Sequence, residues 1–146
     1  MSLAILTKTH VRTLLPARAV DGHKGTFGHL FIVAGSRGFT GAAKLSGLAA
    51  ARSGVGLVTV GAPRMLCDVI ATGTMELMTF PLRSTRDDSV SRDAAADALT
   101  FAKDKDAVAV GPGLSHRKST QDFVRTMVLR CAAPMVIDAD GLNAIV

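Results

Sequence analysis

The stretch His29–Ala62, HLFIVAGSRGFTGAAKLSGLAAARSGVGLVTVGA, decides the fold. His29 to Ala34 is a short apolar run with Phe, Ile and Val, which has the length and chemistry of a buried strand. Gly35, Ser36, Arg37 and Gly38 form a loop behind it, and Thr40 is placed to cap a helix by accepting from a first-turn amide. The helix is predicted to run to about Ser53, with Gly54 and Gly56 supplying a left-handed exit before a second buried strand at Leu57–Val60. This is a βαβ unit whose glycine loop sits at the C-terminal end of the first strand, the edge where open α/β sheets bind ligands.

Ten of the fourteen residues from Gly41 to Gly54 are Gly, Ala or Ser. Such a helix gains little from side-chain burial, but its backbone can approach a sheet or a ligand closely. Its first turn favours an anion through unpaired amides and the helix dipole. Two readings of Gly35, Gly38 and Gly41 stay open on spacing alone: a ligand-binding loop, or a tight turn with close packing. The dinucleotide fingerprint G-x-G-x-x-G is excluded, because Arg37 holds the place of its second glycine. A phosphate-binding P-loop is excluded as well, because Lys44 follows Ala43 and not glycine.

Outward from this unit the alternation continues. Thr7 or Thr9 is placed to cap a short helix through Leu15, stopped by Pro16, and Lys24-Gly25-Thr26-Phe27-Gly28 precedes the first strand. That segment reads as an anion-binding turn or as a plain turn into the strand. Pro63 opens a helix over Arg64–Ala71, ended by Gly73. Met75–Leu82 holds a short strand that Pro81 keeps out of the sheet centre, and Ser84–Ser91 is a polar surface loop. Ser91 caps a helix from about Arg92 to Lys103. Ala107–Val110 is a strand ending in Gly111-Pro112-Gly113-Leu114, and Gln121–Cys131 is a helix. Met135–Ile137 is a last strand, ending in Asp138-Ala139-Asp140-Gly141-Leu142-Asn143. Asp138 and Asp140 are placed to hold a metal, a hydroxyl or a helix N-terminus, or Asp140 merely caps a helix starting near Leu142.

Strands alternating with helices imply a mostly parallel sheet covered on both faces, a three-layer αβα sandwich. Three turns then converge on one sheet edge: Gly35–Gly41, Gly111–Leu114 and Asp138–Asn143. The 146 residues suit one domain, which buries about 70% of its unfolded surface. The net charge of +5 is spread without a basic run, and the chain has no Trp or Tyr, so a nucleic-acid surface is not expected. No apolar run approaches the ~20 residues of a membrane span. The start of the chain lacks the apolar core of a signal peptide. Cys67 and Cys131 have no metal-type spacing, which suggests plain packing in a reducing cytoplasm, and no metal-ligating set is expected in these residues.

Together these segments resemble the ADP/ATP-dependent NAD(P)H-hydrate dehydratases of the ribokinase-like superfamily. The resemblance runs through Val11-Arg12, Leu15-Pro16, Arg18, Lys24–Gly28, Val33–Ser36, Gly41–Ala43, Arg52–Thr59, Val110–Leu114 and Asp138–Asn143. It implies a ribokinase-like fold, with residues 1–146 as the N-terminal part of a single dehydratase domain, apparently truncated. It also implies a repair reaction on NADHX or NADPHX, the hydrated forms of NADH and NADPH. ADP or ATP, with Mg2+, phosphorylates the added hydroxyl of the S epimer; phosphate then leaves and NAD(P)H is restored. Gly35, Ser36, Gly41, Ala42, Ala43 and Gly113 are implied as substrate contacts, with Asp138, Asp140 and Asn143 as the floor between substrate and phosphate donor. Lys24, Gly25 and Gly28 are implied as a phosphate or subunit contact. The catalytic base belongs to a Gly-Thr-Gly-Asp motif that the family carries in a second half, and this sequence does not contain it. The base is therefore expected beyond Val146, no catalytic residue is expected within residues 1–146, and these residues alone are expected to be inactive. A homotetramer and an NAD(P)H-hydrate epimerase partner are further implications. The alternatives are a ribokinase-like kinase of a small hydroxylated metabolite and a non-catalytic nucleotide-binding module.

Overall fold

The computed structural model describes residues 5–15, 17–18 and 20–146. Pro16, predicted to stop the first helix, lies outside the described residues. Five parallel strands form one sheet in the order β3-β2-β1-β4-β5: β1 His29–Val33, β2 Leu57–Pro63, β3 Met78–Leu82, β4 Ala107–Val110 and β5 Met135–Ile137. The helices are α1 Lys8–Leu14, α2 Thr40–Arg52, α3 Cys67–Ala71, α4 Ala95–Ala102, α5 Lys118–Arg130 and α6 Asp140–Ile145. Short 3-10 turns at Lys24–Phe27, Arg64–Leu66 and Arg92–Ala94 complete the described helical segments.

The strand period of two divides the core between the two faces. Phe31 and Val33 of β1 join Val108, Val110, Phe123 and Met127 under α4, α5 and α6. Ile32 and Ala34 join Val58, Val60, Ala43 and Ile70 under α2 and α3. Gly61 of β2 faces the first of these clusters, where a Cβ would stand 2.7 Å from two ring carbons of Phe31. The missing side chain lets Phe31 pack against Phe101, with ring centroids 4.9 Å apart, while Phe80 stacks on Phe101 at 4.2 Å. The small residues of α2 serve close packing on the opposite face. At Gly47 a Cβ would stand 2.5 Å from Leu77 and 3.2 Å from Val60.

The element predictions hold with shifted boundaries, and β3 occupies a sheet edge as Pro81 requires. Three details are corrected. Thr40 is the first residue of α2 and does not cap it; Phe39 is the N-cap, and no side chain caps this start. Gly54 makes the left-handed exit with φ +101, whereas Gly56 is small for another reason: a Cβ there would collide with the Lys24 carbonyl. Asp140 is the first residue of α6, not the cap of a helix starting near Leu142, because Ala139 starts that helix early with φ 46. Thr7 caps α1 as predicted, accepting from the His10 amide at 3.2 Å.

Candidate functional site

The chain leaves β1 towards β2 and β3, then returns across the sheet to β4 and β5. Strand order therefore reverses between β1 and β4. A crevice opens at such a point, beyond the carboxyl ends of the two strands. Here the β1–α2 and β4–α5 loops meet directly. The Gly35 amide donates to the Pro112 carbonyl at 2.9 Å, and the Ser36 hydroxyl donates to the Gly113 carbonyl at 2.7 Å.

Two glycines permit this junction. Gly113, at φ +65, has the Cβ of Ala42 and the Cβ of Phe39 each 2.9 Å from where its own Cβ would stand. Gly111, at φ +136, packs so closely on the β5–α6 loop that a Cβ would overlap the Asp138 carbonyl. That third loop is tied in by a carboxylate. Asp140 accepts from the Ser115 amide at 2.9 Å and from His116 Nε2 at 2.7 Å. An ionised carboxylate only accepts, so Nε2 of His116 carries the proton, and Asn143 Nδ2 donates to the same oxygen at 3.4 Å. The three predicted turns do converge.

A fourth loop, Ser84–Ser91, joins them. The Arg37 amide donates to the Asp88 carbonyl at 3.1 Å, and the Arg37 guanidinium pairs with the Asp88 carboxylate. Between this loop, the β1–α2 loop and the β4–α5 loop lies an open cleft of about 450 Å³, with Ser36, Phe39, Arg86 and Arg117 among its walls. The positive-φ residues other than glycine among those described are Asp88, Ser115 and Ala139. All three lie in loops at this edge. Such backbone costs about 1–3 kcal/mol per residue and gathers at binding sites.

The predicted residues divide by position. Gly41 is exposed at the uncapped start of α2, and a Cβ there would meet nothing within 4 Å. Ala42 and Gly113 are half-buried beside it. Gly35 and Ser36 are buried; Ser36 lines the cleft with its hydroxyl engaged by Gly113, while Gly35 packs against Ala43 and Ile70. Ala43 is fully buried in the core below α2 and presents no side-chain surface to the cleft. Asp138 is exposed at the end of β5, and its side chain makes no hydrogen bond among the described residues. Asn143 is exposed beside Asp140. Val146, beyond which the base is expected, caps the C-terminal end of α6 and is fully exposed. Its side chain is an isopropyl group with no proton to give or take, so Val146 is not itself a site residue; it marks only a position in the chain. Lys24, Gly25 and Gly28 are not brought to this cleft. They lie before β1, at the opposite sheet edge, roughly 16 Å away along a five-residue strand. There His23 Nδ1 accepts from the Gly25 amide, and the Lys24 carbonyl packs on Gly56. Arg18 donates to the Gly54 carbonyl at 2.9 Å and lies over the Phe27 ring, tying this turn to the end of α2.

Arg37, Arg86 and Arg117 line the cleft and His116 bonds Asp140 beside it, yet none of the four is among the site residues expected from the sequence. A usable signal was present. Ser84–Ser91 follows a strand, so in a parallel sheet it belongs to the same edge as the other three turns. Ser115-His116-Arg117 simply continues the Gly111–Leu114 turn.

A family model described as NAD(P)H-hydrate dehydratase matches residues 30–146. The chain belongs to this family. It is similar to a bifunctional NAD(P)H-hydrate repair enzyme, Nnr, of Moorella thermoacetica, 42% identical over 141 residues, which cover 97% of this chain and 27% of the relative. Among solved structures, an ADP/ATP-dependent NAD(P)H-hydrate dehydratase of Bacillus subtilis, co-crystallised with ATP and Mg2+, superposes with a TM-score of 0.73 at 33% identity. That alignment covers 93% of this chain and 46% of the Bacillus chain. A ribokinase-like superfamily protein of Enterococcus faecalis, at 19% identity and a TM-score of 0.76, shares the fold over 99% of this chain and 50% of its own. The ribokinase-like α/β fold expected from the sequence is thus shown. The chain spans half the length of these relatives or less.

Proposed function

We propose that these residues form the substrate-side part of a nucleotide-dependent (S)-NAD(P)H-hydrate dehydratase. The observation that carries this reading is the meeting of the family's glycine and aspartate turns at the strand-order reversal between β1 and β4. The hydrated nicotinamide ring sits against the exposed start of α2 at Gly41 and Ala42, beside Gly113. Asp138, Asp140 and Asn143 lie on the side towards the phosphate donor. Asp140 acts there through its hold on Ser115 and His116, because its carboxylate is already engaged.

The chemistry follows from leaving groups. Hydroxide leaves a saturated ring carbon poorly. Transfer of a phosphoryl group to the ring hydroxyl, whose own proton goes to a base, makes a phosphate ester. Phosphate then departs with the C–O electron pair while the adjacent ring carbon gives up a proton, and that C–H electron pair becomes the restored ring double bond. Such transfer depends mainly on positioning and charge neutralisation. No three His, Cys, Asp or Glu side chains among the described residues gather into a metal site. ADP or ATP and Mg2+ belong to this proposal through the family resemblance, as does the catalytic base, which is expected in the part of the relatives' length that these residues do not span. A homotetramer, an epimerase partner and a cytoplasmic location belong to the same proposal. No helix among the described residues is long and apolar enough to cross a membrane.

The test is recovery of NAD(P)H absorbance when the full-length polypeptide is given the separated S hydrate with ADP or ATP and Mg2+. Recovery is expected from the full length and not from residues 1–146 alone. No recovery from a folded full-length protein with either nucleotide would sink the reading. Turnover of a thiazole or pyridoxal alcohol in its place would favour the kinase alternative.

A further inference from the structure

The cleft has a charged wall whose arginines lie outside the segments that carry the family resemblance. Arg37, Arg86 and Arg117 reach it from three different loops. Arg37 is paired with Asp88, and Arg117 is paired with Asp87 at 3.2 Å. Arg86 is exposed and has no acidic partner among the described residues. Three guanidiniums thus stand against two carboxylates, and the uncompensated charge belongs to Arg86.

The loop carrying Arg86 is held in place. Ser84 and Val90 form an antiparallel bridge, the Thr85 amide donates to the Ser89 carbonyl at 2.8 Å, and the Asp88 amide donates to the Thr85 carbonyl at 3.2 Å. The Arg37–Asp88 contacts fasten the same loop to the β1–α2 loop. The backbone under Arg86 is therefore set before any ligand arrives, which lowers the ordering cost of binding.

We propose that this wall binds the phosphate oxygens of the dinucleotide substrate, with Arg86 as the principal ligand and Arg37 and Arg117 beside it. The inference rests on the substrate reading above. A hydrated nicotinamide dinucleotide carries its negative charge on phosphates, away from the reacting ring. A ring seated at Gly41 leaves those phosphates to run along a wall that begins at Arg37, four residues earlier. A guanidinium fork matches two phosphate oxygens, and Asp87 and Asp88 orient its neighbours without neutralising Arg86.

The experiment is calorimetric titration of the full-length protein, its nucleotide site saturated with a non-hydrolysable ATP analogue, using hydrated NADH, hydrated NADPH and inorganic pyrophosphate. Arg86→Gln, Arg86→Lys and the distant control Arg52→Gln are compared with wild type. Arg86→Gln is expected to weaken pyrophosphate and at least one hydrate by about tenfold, Arg86→Lys by less, and Arg52→Gln not at all. Equal losses for both hydrates identify the bridging pyrophosphate as the group held; a loss confined to hydrated NADPH identifies the 2′-phosphate. Wild-type affinity of Arg86→Gln for all three probes overturns the proposal. Arg86-dependent pyrophosphate binding in a protein that binds neither hydrate keeps the anion site and overturns the substrate reading instead.

Discussion

Nε2 of His116 donates to Oδ1 of Asp140 across 2.7 Å, joining the loop after β4 to the first residue of α6. The other carboxylate oxygen of Asp140 takes the Ser115 amide at 2.9 Å, and Ser115 holds a left-handed backbone, φ 82, to present it. One side chain thus fixes the shape of the neighbouring loop, and that loop is a wall of the cleft.

Asp140→Ala should therefore leave the Ser115 amide without its acceptor and release His116. Hydrogen bonds to charged groups contribute about 1.5–3 kcal/mol, so a loss of this order in urea unfolding is expected. Substrate affinity should fall as well, since Ser115 and Arg117 line the cleft. Asp140→Asn, which keeps one acceptor, should lose less of both. Wild-type stability in Asp140→Ala would show that the loop is held by other contacts.

The same relationship shows where the sequence is legible. The strands were readable because a buried parallel strand is a continuous apolar run, and His29–Val33 and Ala107–Val110 are such runs. Convergence of the turns followed from parallel topology alone. The role of Asp140 was not readable, because a helix cap and a cross-loop strut use the same residue at the same place. Ala139 decides between them with φ 46, a conformation nothing in its side chain announces. Ala43 illustrates the reverse limit. A small residue near a helix start suits a ligand or a core equally well, and only packing shows that this one is fully buried.

Gly61→Ala should destabilise the fold without touching the cleft. The added methyl would stand 2.7 Å from the Phe31 ring and 3.2 Å from Leu82, both fully buried. Overpacking of this kind costs about 1–3 kcal/mol. A drop in the urea midpoint with unchanged affinity for the hydrates is the expected result. An unchanged midpoint would mean that the Phe31, Phe80 and Phe101 cluster repacks freely.

His29 makes stability depend on pH. Burial is the main cause that lowers its pKa below the ordinary 6.5, and Lys105 adds to it. Its Nε2 lies 2.8 Å from the Thr59 hydroxyl at the start of the sheet. A histidine whose folded pKa is lowered stays neutral in the native state while the unfolded chain takes up a proton. Its contribution is thus fully present above pH 6.5 and is lost as pH falls through 6.5 towards the lower folded value. Urea midpoints measured between about pH 7.5 and 5.5 should fall, and the slope should flatten in His29→Gln. An equal slope in the variant would assign the effect to another group.

Gly41 separates the needs of the fold from those of the ligand. Its φ lies outside the left-handed region and a Cβ would meet open space, so nothing among the described residues requires glycine there. Alanine is the better helix former by up to about 1 kcal/mol. Gly41→Ala should thus fold at least as stably as wild type, in contrast to Gly111→Ala, whose Cβ would overlap the Asp138 carbonyl and which should fail to fold. Gly41→Val should also fold, yet its branched side chain would project from the start of α2 into the space proposed for the hydrated ring. Affinity for the S hydrate should fall at least tenfold in calorimetry, about 1.4 kcal/mol, with urea stability close to that of Gly41→Ala. Tight binding by a folded Gly41→Val protein would move the ring away from the α2 start, and with it the account of why glycine stands at this position.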